Sequence, residues 1–131
     1  MELANGAHIN LVNLVASRIT AAGGIAKKNQ FIDLASKMNE DFIFEMKSTT
    51  ETNVRSQVRK GISQLYEYRY LENTPEAKLV LVVERPLATS NIWMNDYLEN
   101  DRGVLLIWDG DERLFGSAKA NESLPFLRLN Q

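Results

Sequence analysis

Residues 30–48 read QFIDLASKMNEDFIFEMKS. The pattern predicts two strands, over about 29–36 and 41–48, with Lys37-Met38-Asn39-Glu40 in the turn between them. Side chains alternate along a strand, so Phe42, Phe44 and Met46 share one face and Ile43, Glu45 and Lys47 share the other. In the preceding strand Ile32 and Leu34 oppose the face that holds Phe31, Asp33 and Ala35. Burying Ile32, Leu34, Phe42, Phe44 and Met46 together requires a register that matches both parities, and a loop centred on Asn39 provides it. That register sets Asp33 across from Glu45, with Lys47 two residues along on the same face.

Carboxylates paired in this way have Cβ atoms about 5 Å apart. Their repulsion is destabilising unless a cation sits between them. A hard divalent ion such as Mg²⁺ suits carboxylate oxygens and retained waters. Such an ion lowers the pKa of a bound water and stabilises charge on a phosphate. Lys47 then has two roles open to it, orienting that water or neutralising developing negative charge. The same three side chains also fit a solvated sheet face with an ordinary charge ladder, and strand chemistry alone does not separate the two readings.

On the N-terminal side, residues 3–22 read as a helix that is apolar nearly all round, with Gly23-Gly24 as its stop. On the C-terminal side a second helix runs from about 53 to 71, closed by Asn73-Thr74-Pro75. Val54, Val58, Ile62 and Leu65 form its core stripe, and Gln57, Gly61, Gln64 and Tyr68 run beside it at the same spacing. A polar border to an amphipathic helix explains the second stripe. A functional reading has Gln64 and Tyr68 contacting water or substrate backbone, with Gly61 permitting close approach. Arg55, Arg59, Lys60 and Arg69 give the helix a basic cast; Arg55, Arg59 and Lys60 are the best local candidates for phosphate contacts.

Further along, KLVLVVE (78–84) and GVLLIWD (103–109) read as strands buried on both faces. Ser90-Asn91 is a candidate cap for a short helix to about Asn100, and Asp109-Gly110-Asp111-Glu112 reads as a turn into a last strand through Phe115. Trp93, Tyr97 and Trp108 lie in apolar segments and are expected in the core, although each has a ring able to stack on a base. Glu84, at the end of a buried strand, is an additional candidate ligand. The order α-β-β-α-β-α-β-β implies an α/β fold, a mixed sheet flanked by helices, in one domain spanning 1–131.

At Asp33, Glu45-Met46-Lys47 and Gln64-x-x-x-Tyr68 the chain resembles the PD-(D/E)XK nuclease superfamily, in its RecB-like branch. The resemblance covers roughly residues 3–84 and implies a restriction-endonuclease-like αβββαβ core. It implies a metal site for Mg²⁺ or Mn²⁺ held by Asp33, Glu45 and the Met46 carbonyl, with Lys47, Gln64 and Tyr68 as further catalytic residues. The activity implied is phosphodiester hydrolysis, with DNA as the partner, in a restriction, repair, phage or mobile-element setting. RecB-like members use a His on the first helix, which His8, the sole histidine, would match; otherwise His8 is a packing or capping residue. The namesake Pro is absent, since Ile32 precedes Asp33, and only Glu2 is available as the acid many members carry on the first helix. On the same fold, the alternative is a catalytically inactive module that binds nucleic acid or protein in a larger assembly.

Composition narrows the classes. At 131 residues, 44% hydrophobic and 24% charged, the chain can build one ordinary core. It has no cysteine, which removes disulfides, thiolate metal sites and cysteine nucleophiles and fits a reducing, cytoplasmic setting. No apolar run approaches the roughly 20 residues of a membrane span, and Met-Glu-Leu-Ala-Asn-Gly lacks the basic start of a signal peptide. A net charge of −2 means that phosphate binding requires a locally basic groove, a homodimer, or a larger protein or complex.

Overall fold

The computed structural model describes residues 2–27, 34–37, 40–111 and 113–130, with the side chains of 2–8 and 34–37 excepted. It is an α/β structure with a six-stranded mixed sheet between two layers of helices. Helix α1 (Glu2–Ala21) is followed by β1 (Ile25–Lys27), β2 (Leu34–Lys37), β3 (Asp41–Lys47), α2 (Val54–Leu71) and β4 (Lys78–Val83). Then come a 3-10 turn (Thr89–Asn91), α3 (Trp93–Asp96) running into a π-helical turn (Tyr97–Arg102), β5 (Val104–Asp109), β6 (Leu114–Gly116), α4 (Ala118–Ser123) and a 3-10 turn (Pro125–Leu127). The strands lie in sequence order across the sheet. β1, β2 and β3 pair antiparallel, β3, β4 and β5 pair parallel, and β6 returns antiparallel.

The core strands are buried on both sides, which explains their unbroken apolar runs. Phe42, Phe44, Met46, Val80, Val82, Leu105 and Ile107 meet α1, α4 and the C-terminal turn. Ile43, Leu79, Leu81, Val83, Val104 and Leu106 meet α2 and α3 on the other face. The parity expected for β3 is therefore the observed one. The register matches as well: Leu34 pairs with Phe44, Ala35 with Ile43 and Ser36 with Phe42, the arrangement a loop centred on Asn39 requires.

Helix ends follow their local chemistry. Gly23, at φ 86°, takes the left-handed conformation that closes α1, with Gly24 N donating to Ile19 O and Gly23 N to Thr20 O. Ahead of α2, Thr50 Oγ1 accepts from Asn53 N while Asn53 Oδ1 accepts from Thr50 N, a reciprocal pair that closes the turn leading into the helix.

Several expectations need correction. Among the described side chains of α1 the buried ones form one stripe, Leu11, Val12, Val15 and Ile19, and Ile9 is exposed. Strand β1 and helix α4 are additional to the expected elements, and the strand placed over 29–36 is described only from Leu34 to Lys37. Trp93 and Tyr97, expected in the core, stand on the surface at 47% and 37% exposure, whereas Trp108 packs against the α2-side core.

Buried Glu99 holds one edge together. β6 pairs with β5 only from Ile107 to Asp109, which leaves the next backbone donor on that side, Leu106 N, without a strand partner. Glu99, carried inward on the π-helical turn, fills the gap: its Oε2 accepts from Leu106 N at 3.1 Å and its Oε1 from Ser117 Oγ at 2.7 Å. Lys119 Nζ donates to the Glu99 carbonyl at 3.0 Å. Removing this acceptor strands a buried donor, so Glu99→Ala should cost about 2–4 kcal/mol and Glu99→Gln less, since an amide oxygen still accepts one bond. Urea unfolding with an unchanged slope would read the difference, and a loss under about 0.5 kcal/mol for the alanine variant would contradict this role.

Candidate active site

Strand β3 carries a buried charge among apolar neighbours. Glu45 is 3% exposed and lies on the face of the sheet covered by α2. Its Oε2 stands 3.2 Å from Lys47 Nζ, itself 14% exposed, so the pair is an ion pair largely withdrawn from water. Both residues sit in the C-terminal half of β3, where Glu45 pairs with Leu81 and Lys47 with Val83 of the parallel strand β4. Ligand crevices of parallel sheets open at that end.

Helix α2 is pinned to the same end. Gln57 Nε2 donates to Ser48 O at 2.9 Å. Thr49 N donates to Glu84 Oε1 at 3.0 Å, so Glu84, a candidate ligand from its position, holds the turn between β3 and α2. Because α2 links two parallel strands, it runs back along them. Gln64, two turns further along, lies on the same border of the helix as Gln57.

Gln64 Nε2 donates to Tyr68 Oη at 3.3 Å. Its Oε1 is buried and meets no hydrogen-bond partner among the described residues. A buried acceptor in that state costs about 1–3 kcal/mol, a cost a bound water or ligand would offset. Gly61 serves packing, since a Cβ there would come within 2.6 Å of Leu81 Cδ1. The close approach it permits is that of α2 to strand β4. Gln57 and Gly61, read with Gln64 and Tyr68 as one polar stripe, are thus a tether and a packing contact.

The other sequence candidates divide between places. Asp33 lies outside the described residues. So does the side chain of His8, carried by α1, whose buried stripe packs on the sheet face opposite Glu45. Met46 shares its side-chain face with that stripe, and its carbonyl is the atom relevant to a metal. Arg55, Arg59 and Lys60 are all exposed. At 100° per residue, Arg55 and Arg59 fall on the border of α2 away from Gln57, Gln64 and Tyr68. Arg55 lies over the Trp93 ring, 5.4 Å from its centroid.

Comparison with protein-family models, with characterised proteins and with solved structures gave no match for this chain.

An ion pair buried this deeply is not the stable choice for a core strand, since apolar residues of similar volume commonly do as well or better. Lys47→Met alone should cost about 2–4 kcal/mol, because it leaves a buried carboxylate without its ammonium. Glu45→Leu combined with Lys47→Met should recover most of that loss. A thermodynamic cycle in chemical denaturation measures the coupling, and additive single losses would show that the pair does not act as a unit.

Proposed function

We propose that this chain is a metal-dependent phosphodiester hydrolase acting on DNA, on a restriction-endonuclease-like fold. The observation that carries the reading is the buried Glu45–Lys47 ion pair, 3.2 Å across, on a β3 strand whose other buried side chains are apolar. The buried acceptor oxygen of Gln64, on the helix that covers this face of the sheet, supports it. So does the order αβββαβ over α1 to β4.

The donor chemistry fits Mg²⁺ or Mn²⁺: a carboxylate at Glu45 and a backbone carbonyl at Met46 are hard oxygen donors, and the chain has no thiolate. Among the described residues no group of three His, Asp or Glu side chains stands together, so the reading depends on Asp33 as the further ligand. The described part of the β2–β3 register, Leu34 with Phe44, is the one on which that expectation rests. When bound, the ion would supply Lewis acidity toward a phosphate and raise the acidity of water beside it.

The chain's own groups do the rest. Lys47 presents a cation where negative charge grows on the phosphate, and its short tether to Glu45 fixes that position. Gln64 Oε1 accepts a hydrogen bond from the attacking water, and Tyr68 Oη orients the Gln64 amide. α2 and the apolar strands around Glu45 limit the water near it, which strengthens each of these interactions. The hydrolysis itself breaks one P–O bond, with the hydroxyl of water going to phosphorus and its proton to the leaving oxygen.

The decisive measurement is cleavage of single- and double-stranded DNA with Mg²⁺ or Mn²⁺ by the wild type, Asp33→Ala, Glu45→Gln and Lys47→Ala. Each variant should lose at least about 100-fold in rate. Equal activity in all four proteins would sink the assignment. Thermal unfolding adds the second arm: saturating metal should stabilise the wild type by about 2–3 kcal/mol and leave Asp33→Ala unmoved. Metal stabilisation without any cleavage would instead assign a non-catalytic module on this fold.

A further inference from the structure

The border of α2 opposite Gln57 and Gln64 carries a pattern the hydrolytic site does not use. Arg55, Arg59, Tyr66 and Arg69 recur along it at helical spacing. Two aromatic–cation contacts stand on it. At one end the Arg55 guanidinium lies 5.4 Å from the Trp93 ring centroid, and Trp93 in turn stands against Tyr97, with centroids 6.0 Å apart and planes at 49°. At the other, Arg69 lies 4.8 Å from the Tyr66 ring centroid, beside exposed Tyr70. Tyr66 Oη donates to Arg102 O, which ties this border to the π-helical turn after α3.

These rings are exposed despite their size: Trp93 at 47%, Tyr97 and Tyr66 at 37%, and Tyr70 at 83%. Folding gains little from leaving them there, since burial of such rings is worth several kcal/mol. Asp101 is paired with Arg102 at 3.1 Å, while Asp96 accepts from the neutral Asn100 amide at 2.6 Å and keeps its charge. Arg55, Arg59 and Arg69 outnumber that one carboxylate, so the border is positive in a chain whose net charge is −2.

We propose that this surface, centred on Arg55, Trp93 and Tyr97 and continued by Tyr66 and Arg69, is a base-stacking track for single-stranded nucleic acid. The proposal rests on the phosphodiesterase reading and names its substrate class. A polymer of flat rings alternating with anions matches a repeat of aromatic groups and arginines, whereas a lone small ligand would need only one of the two clusters. Arg55 and Tyr66 are about 16 Å apart along the helix, the length of about five bases at 3.4 Å per stacked step. Arg55 also lies two residues from Gln57, so the track begins at the sheet end where Lys47 stands. A duplex keeps its bases stacked on one another and offers this surface phosphates alone.

The test measures binding with EDTA present, apart from any cleavage. Fluorescence anisotropy of a labelled 15-nucleotide oligothymidylate and of a 15-base-pair duplex is read at low salt, with circular dichroism to verify folding. Trp93→Ala should weaken oligothymidylate binding by about 5- to 150-fold, the effect of one stacked base, and leave duplex binding within about twofold. Trp93→Phe should retain most of the affinity, Tyr97→Ala should lose affinity, and Arg55→Ala should lower the salt slope by about one. Wild type that fails to bind oligothymidylate, or Trp93→Ala that binds it as the wild type does, overturns the track. A concentration-dependent dimer in sedimentation that Trp93→Ala abolishes, with oligothymidylate binding unchanged, also overturns it and gives the face to a second copy. Oligothymidylate binding without cleavage in Mg²⁺ or Mn²⁺ leaves the track standing and removes the hydrolytic reading.

Discussion

Everything in this molecule follows from three adjacent strands, β3, β4 and β5, that have no solvent face. A strand enclosed on both sides can carry a charge only if that charge is compensated within reach, because the cost of burying it alone is several kcal/mol. β3 meets that condition by placing Lys47 two residues from Glu45, on the same side of the pleat. The pair fits because the large apolar side chains, Phe42, Phe44 and Met46, all point the other way into the α1 layer. On the α2 side Ile43, Leu79, Leu81 and Val83 close around the charges.

Helix α2 is the element that divides the molecule's surface. Val54, Val58 and Leu65 bury its centre against the sheet, and Gly61 lets it come close enough for Leu81 to occupy the space a side chain would fill. Two borders remain. One borders β3 and holds Gln57, Gln64 and Tyr68; the other faces α3 and holds Arg55 and Tyr66. An overall charge of −2 says nothing about either border, since a helix can segregate its arginines to one side while the total stays negative.

How much of this is legible in the sequence depends on the length of each pattern. The period-2 alternation of Phe42 to Lys47 is long enough to set parity. Once parity is set, one loop centre satisfies both strands, which is why the β2–β3 register can be read. The α3 segment defeats the same approach. Met94 and Leu98 form one i, i+4 pair and Trp93 and Tyr97 another, and a short helix on a sheet buries only one of them. Nothing in the spacing says which. Strand β1 has three residues with mostly exposed side chains, too few for any alternation to show. The start of α2 is legible because its apolar stripe begins at Val54, the first residue of the helix. Glu99 is hidden by its neighbours: Asn100, Asp101 and Arg102 look like a solvated charged turn, and only the wider π-helical geometry rotates Glu99 inward.

Glu45 and Glu99 are both buried carboxylates, 3% and 5% exposed, and their surroundings separate their roles. Glu99 is held by a backbone amide and a serine hydroxyl, neutral donors fixed by β5 and by the cap of α4. Such donors complete a hydrogen-bond ladder, and each carboxylate oxygen is held in place by one of them. Glu45 has as its described ion-pair partner a lysine side chain on the same strand, 3.2 Å away. The helix above it carries an amide oxygen that awaits a donor. A carboxylate whose partners are backbone is part of the architecture. One paired with a side-chain cation, at the C-terminal end of a parallel pair of strands, is the better candidate for binding chemistry. By that criterion burial alone does not single out the candidate site, and the identity of the compensating group does.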